Sequence, residues 1–170
     1  MSALAQLYVD EGHEVSGSDR EESPTTLLLK SKGIKVLLEQ KAGNVPEEAS
    51  LVVYSDAVWD DNPERVRAKE LGKRQVSYFE ALGEVSKDKY TIAVAGTHGK
   101  TTTTAMLTKA LIDTGHKPTA VIGSLVTEFG SNYVRGEGDL FVVEACEYKD
   151  HLLKLTPKML VITNLEWDHT

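Results

Sequence analysis

Residues 90–114 pass from an apolar strand through a glycine turn into a helix with no spacer between them, and few folds accept that order. Tyr90 to Ala95 is rich in β-forming residues. Gly96 to Thr101 is a tight loop, and Lys100 to Thr114 has helical periodicity that stops at Gly115. A strand that hands over directly to a helix belongs to a βα unit, in which the helix packs back on the sheet and the next strand runs parallel. Glycines let the backbone curl until its amides point at one spot, and the helix N-terminus behind them carries about half a positive charge. The segment Gly96-Thr97-His98-Gly99-Lys100-Thr101 therefore has the parts of a phosphate cradle. Lys100 is placed to neutralise β/γ-phosphates and the Thr101 hydroxyl to coordinate Mg²⁺. The longer G-x-x-x-x-G-K-[ST] spacing is not met, because Val94 stands five residues before Gly99; the shorter G-T-x-G-K-T form is. The plain alternative is a strand, a turn and a helix with a solvated lysine. Four successive threonines, 101–104, and the strand–loop–helix setting weigh against it.

The alternation extends in both directions. Ser2 to Gly12 reads as a helix, Glu14 to Ser16 as a short strand, Ser23-Pro24 as the start of a helix reaching Gly33, and Leu51 to Tyr54 as a buried strand. Asn62-Pro63 caps a helix that reaches Gly72, and Tyr78 to Val85 forms another. Polar Ser86-Lys87-Asp88-Lys89 marks a boundary between an N-terminal domain, 1–88, and a second domain, 89–170. Beyond the glycine loop, Ala120 to Ile122, Leu140 to Val143 and Met159 to Thr163 are strands. The expected class is α/β, with parallel sheets covered by helices on both faces. Ligands of such sheets sit beyond the carboxyl ends of the strands. The loops at Gly17-Ser18-Asp19, Ser55-Asp56-Ala57, Gly96 to Thr101, Glu144 to Tyr148 and Asn164 to His169 all lie there.

Composition narrows the function. Hydrophobic residues make up 41% and charged residues 26% of the 170, enough apolar material for a core. A formal net charge of −7 gains nothing from the counterion release that drives non-specific nucleic-acid binding, so no nucleic-acid partner is expected. A phosphate can still be held locally by backbone amides. One cysteine, Cys146, excludes an intrachain disulfide. No apolar run approaches the roughly 18 residues of a membrane helix, and no basic-then-apolar leader opens the chain, so the expected compartment is the cytoplasm.

Two further polar positions follow apolar strands. Val142-Val143-Glu144 sets a carboxylate at a strand end, and Asn164-Leu165-Glu166-Trp167-Asp168-His169 follows another strand. Mg²⁺ takes oxygen ligands and keeps several waters, so one carboxylate with nucleotide phosphates suffices. Taken singly, Glu144 reads as a solvated or capping acid and His169 as a structural histidine. Their shared location with the phosphate loop turns both readings toward ligand binding. His98 is compatible with contact to a substrate anion and equally with shaping the turn. Cys146, between Glu144 and Glu147, has its thiolate disfavoured by like charge and reads as a small packed residue.

Gly96-Thr97-His98-Gly99-Lys100-Thr101-Thr102-Thr103-Thr104 resembles the ATP loop of the Mur ligase family, and its histidine is the form found in the branch that adds L-alanine. Val15 to Asp19, Tyr54 to Val58 followed by Asp61-Asn62-Pro63, and Ile162 to His169 resemble the same branch in order and spacing. The resemblance implies an incomplete Rossmann-like UDP-binding domain followed by part of a P-loop central domain. It implies an ATP- and Mg²⁺-dependent ligase that joins L-alanine to UDP-N-acetylmuramic acid through an acyl phosphate. Lys100 would hold the β/γ-phosphates, with Gly96, Thr97, His98, Gly99, Thr101 and Thr102 around ATP. Thr101 and Glu144 would serve Mg²⁺ and His169 a second metal position. Asp19, Ser55 and Ala57 would line the UDP pocket, with His98 and Asn132 toward the muramoyl group. The family opens with a strand and a G-x-G-G-x-G loop ahead of a sequence like Met1 to Ala5, and closes with a C-terminal domain. The expectation is thus a chain incomplete at both ends and inactive alone. A murein-tripeptide recycling ligase, a folylpolyglutamate or cyanophycin synthetase, and a non-catalytic nucleotide-binding fragment are the competing readings. The Ser-Gly-Ser-Asp and Ser-Asp-Ala-Val segments argue against the synthetases.

Overall fold

The computed structural model describes residues 1–146 and 148–165, with only the backbone at 148–150. The chain forms two compact units, 1–81 and 82–170, and helix α4 (Tyr78–Lys87) carries the chain from one to the other. Residues 86–89, at the end of α4 and just after it, fall within the second of these units. Ser86 is fully buried; its hydroxyl donates to the Gly83 carbonyl at 2.7 Å, accepts the Thr156 amide at 3.1 Å and lies 3.1 Å from the Thr156 hydroxyl. A serine so held ends a helix inside a unit, whatever the polarity of its neighbours.

In the first unit α1 (Ser2–Asp10) buries Ala3, Leu4 and Leu7 along one face. Two strand–helix–strand units follow. β1 (Ser16–Ser18), α2 (Pro24–Ser31) and β2 (Lys35–Leu37) form the first, and β3 (Leu51–Tyr54), α3 (Pro63–Glu70) and β4 (Arg74–Ser77) the second. Each strand pair is parallel, Ser16 opposite Lys35 and Leu51 opposite Arg74, and the pairs are separate two-stranded sheets. The helix starts follow from their caps. Ser23 accepts the Thr26 amide and donates its own amide to the Thr26 hydroxyl, a reciprocal pair built with threonine instead of the usual Glu or Gln. Asn62 accepts the Glu64 amide at 3.0 Å ahead of Pro63. The first strand starts two residues later than its expected Glu14 start. β2 and β4 carry no apolar alternation to announce them: Lys35 begins one, and Arg74-Gln75 the other.

The second unit holds β5 (Tyr90–Ala95), α5 (Lys100–Asp113), β6 (Thr119–Val126), β7 (Ser131–Val134), β8 (Leu140–Glu144) and β9 (Met159–Ile162). They form one sheet in the order β7-β6-β8-β5-β9. Ile92, Ala93, Val94, Val121, Ile122, Phe141, Val142 and Val143 are buried along consecutive positions, as expected of strands covered on both faces. The expected wholly parallel sheet is corrected at one edge. β6 continues four residues past Ile122, a 3₁₀ turn at Thr127–Phe129 ends at Gly130, and β7 returns antiparallel, with Ala120 opposite Val134. The other pairings are parallel: Val94 opposite Glu144, and Ala95 opposite Ile162. The carboxyl ends of β8 and β9 therefore flank that of β5. No described helix is long and apolar enough to cross a membrane.

Candidate functional site

The loop after β5 is shaped from three sides. Its first residue, Gly96, is buried at φ 125°, a conformation that excludes ordinary side chains. A Cβ there would lie 2.3 Å from the Thr163 hydroxyl and 2.8 Å from the Asn164 carbonyl. Gly99, at φ 80°, turns the backbone into α5. Between them the Thr163 hydroxyl donates to the His98 carbonyl at 2.6 Å, and the Asn164 side-chain oxygen accepts the His98 amide at 2.9 Å. The Thr163 amide also donates to the Ala95 carbonyl at 3.0 Å. The end of β9 thus grips the middle of the loop, and the His98 amide is engaged within the protein.

Lys100 opens α5 and folds back over the loop, its ammonium 2.5 Å from the Gly96 carbonyl and 3.2 Å from that of Thr97. The charge sits on a half-buried stem at the helix N-terminus, where an anion is favoured. One residue on, the Thr101 hydroxyl donates to Glu144 Oε1 at 3.0 Å. Glu144 Oε2 accepts the Gly123 amide at 2.7 Å. β8 brings the carboxylate, α5 the hydroxyl and β6 the amide. These parallel strands and the helix between them supply one oxygen pair, Thr101 Oγ1 and Glu144 Oε1, beside the lysine. A hard divalent cation accepts that donor set when phosphate oxygens and water complete it. Among the described residues no three His, Cys, Asp or Glu side chains converge as a metal site, so the protein offers a partial set only. The residues fit Mg²⁺ held jointly with a phosphate.

The remaining sequence candidates fall elsewhere. His98 is exposed, Thr97 is half-buried, and Thr102 lies exposed on the first turn of α5. Asn132 is buried in β7, on the far side of β6 from β8. His169 lies outside the described residues. Asp19 is exposed at the end of β1, with its carboxylate accepting the Arg20 amide at 2.7 Å. Ser55 and Ala57 form a turn at the end of β3, closed by the Val58 amide on the Ser55 carbonyl at 2.8 Å. Arg65 holds the following loop. Its guanidinium lies 3.7 Å from the centre of the Tyr54 ring, pairs with Asp60 at 2.6 Å and donates to the Val58 carbonyl at 3.1 Å. Cys146 is a partly exposed free thiol.

Three participants carry no role in the sequence reading: Gly123, Thr163 and Asn164. Gly123 had a usable signal, a glycine inside an apolar strand, which marks a bulge or a close approach.

Comparison with known proteins agrees in extent and order. The profile described as Mur ligase family, catalytic domain, matches residues 1–90, and that of the Mur ligase middle domain matches 94–170. A UDP-N-acetylmuramate–L-alanine ligase of Persephonella marina is 45% identical over 99% of this chain and 37% of its own length. One from Synechococcus is 44% identical, over 100% of this chain and 38% of its own length. The crystal structure of the UDP-N-acetylmuramate–alanine ligase from Thermotoga maritima superposes with a TM-score of 0.90 at 35% identity, over 99% of this chain and 40% of that one. The chain spans 37% and 38% of the length of these two curated relatives.

Proposed function

The chain belongs to the Mur ligase family, and on that premise we propose that it carries the phosphate-binding part of an ATP-dependent ligase. That ligase joins L-alanine to the carboxyl group of UDP-N-acetylmuramic acid in peptidoglycan synthesis, in the cytoplasm. The observation that carries the reading is the group Lys100, Thr101 and Glu144, one cation and one oxygen pair at the mouth of a glycine loop. Bound Mg²⁺–ATP would supply the phosphoryl group that activates the carboxylate. The residues here bind and orient. Lys100 exchanges its contacts to the Gly96 and Thr97 carbonyls for phosphate oxygens, and the N-terminus of α5 adds its dipole. Thr101 and Glu144 turn their oxygens to the cation. Asp19, Ser55 and Ala57 are proposed for the uridine diphosphate portion, His98 and Asn132 for the muramoyl portion, and His169 for a second metal.

The test is phosphate release from ATP by the protein that contains this chain, with UDP-N-acetylmuramic acid present and L-alanine added or withheld. Release that depends on L-alanine is expected. Release that responds to a murein tripeptide and not to L-alanine would assign the protein to the recycling reaction. Release indifferent to both would overturn the proposal.

A further inference from the structure

Glu144 has a neighbour whose importance lies in what it lacks. Gly123 is an exposed residue of β6, facing the end of β8. An added Cβ there would lie 2.6 Å and 2.7 Å from the two carboxylate oxygens of Glu144 and 2.8 Å from its Cδ. All three distances are shorter than a real Cβ tolerates. Gly123 has no positive φ, so its backbone accepts alanine without strain. The atoms in the way belong to the far end of a flexible side chain, which can rotate aside at small cost. Alanine at 123 should therefore leave the fold nearly untouched and move the carboxylate. The carboxylate has one place to lose: its seat between the Gly123 amide at 2.7 Å and the Thr101 hydroxyl at 3.0 Å.

We propose that Gly123 is a positioning residue for Glu144, admitting the carboxylate by the absence of a side chain and fixing it by its amide, so that Glu144 and Thr101 face one divalent cation. This rests on the reading of Lys100, Thr101 and Glu144 as the Mg²⁺–nucleotide site. Strand geometry alone does not require a glycine at 123, since an ordinary residue fits the backbone. The approach of Glu144 requires it.

Titration calorimetry of the protein that contains this chain with ATP, with and without Mg²⁺, tests the proposal on wild type, Gly123→Ala, Glu144→Gln and the double variant. Mg²⁺ should strengthen wild-type binding by about tenfold or more, because it joins phosphate oxygens to the Thr101 and Glu144 oxygens. Gly123→Ala should lose most of that gain while keeping its melting temperature. The double variant should lose no more than Glu144→Gln alone. Retention of the full Mg²⁺ gain in Gly123→Ala, or additive losses in the double variant, would overturn the proposal. Failure of the nucleotide reading is seen separately, as ATP affinity unchanged in Lys100→Ala. In that event, or if Gly123→Ala does not fold, the Gly123 amide resonance of the wild type decides. It should shift and exchange faster with solvent in Glu144→Ala, which removes the carboxylate it donates to; an amide unchanged in shift and exchange would overturn the positioning role.

Discussion

The side-chain oxygen of Asn164 accepts the backbone amide of His98 at 2.9 Å, tying the centre of the glycine loop to the strand on its far side. Of the amides that a phosphate loop could turn toward an anion, this one is committed to the protein. The loop's shape thus depends on a residue that carries no charge. Asn164→Ala should raise hydrogen exchange at the His98 amide and lower stability by about 0.5–1.5 kcal/mol, the net worth of one hydrogen bond. Exchange mass spectrometry across 96–101 checks it; unaltered protection there would show that Thr163 alone suffices.

Lys100→Ala removes an ammonium from the mouth of the loop. ATP affinity should fall about tenfold to a hundredfold, corresponding to roughly 1.5–3 kcal/mol for a charge-assisted contact. The secondary structure should be unchanged by circular dichroism, because α5 begins at this residue and alanine is the best helix former. Calorimetry that finds equal affinity would place the nucleotide elsewhere.

Gly83→Ala sets two effects against each other. In a helix interior alanine is favoured over glycine by about 1 kcal/mol. Here the new Cβ would lie 2.2 Å from the Lys154 carbonyl oxygen, a backbone atom that cannot rotate away. Overpacking costs typically about 1–3 kcal/mol and more against backbone, so the clash wins. Denaturant unfolding should show a net loss. A gain in stability would mean that the 3₁₀ segment Tyr148–Lys154 yields freely.

Arg65→Lys keeps the charge and loses the fork. The guanidinium simultaneously covers Tyr54, pairs with Asp60 and reaches the Val58 carbonyl, which an ammonium cannot do. The turn at Ser55–Val58 should exchange its amides faster, and binding of uridine diphosphate, if this turn contacts it as proposed, should weaken several-fold. A variant with wild-type exchange at Val58 would remove Arg65 from that role.

The central strand, the loop and α5 were legible because three local rules agree there: an apolar run, glycines at a turn and helical periodicity. Leu51–Tyr54 and Tyr90–Ala95 have the limits expected of them. β2 and β4 were not legible, since strands of three and four residues with lysine, arginine and glutamine hold too little apolar pattern. The antiparallel return of β7 was missed for a related reason: the apolar stretch of β6 ends at Ile122, while its ladder resumes at Val126 after an irregularity. Within the site, Lys100, Thr101 and Glu144 stand out by chemistry. Asn164 acts on a loop amide and Gly123 through a missing side chain; a glycine among apolar strand residues signals a close approach, but what approaches is visible only when strands distant in sequence are brought together.

The order β8-β5-β9 also governs when the site comes into being. Thr101 meets Glu144 across 43 residues, and His98 meets Asn164 across 66. The turn into α5 can form on contacts close in sequence, within microseconds, whereas pairings of such separation pay a loop-closure entropy first and arrive late. During synthesis the helix and its lysine therefore exist before the loop has its binding shape, and residue 164 must leave the ribosome before His98 is held. Capacity to bind phosphate is then a property of the assembled sheet, not of the loop sequence by itself.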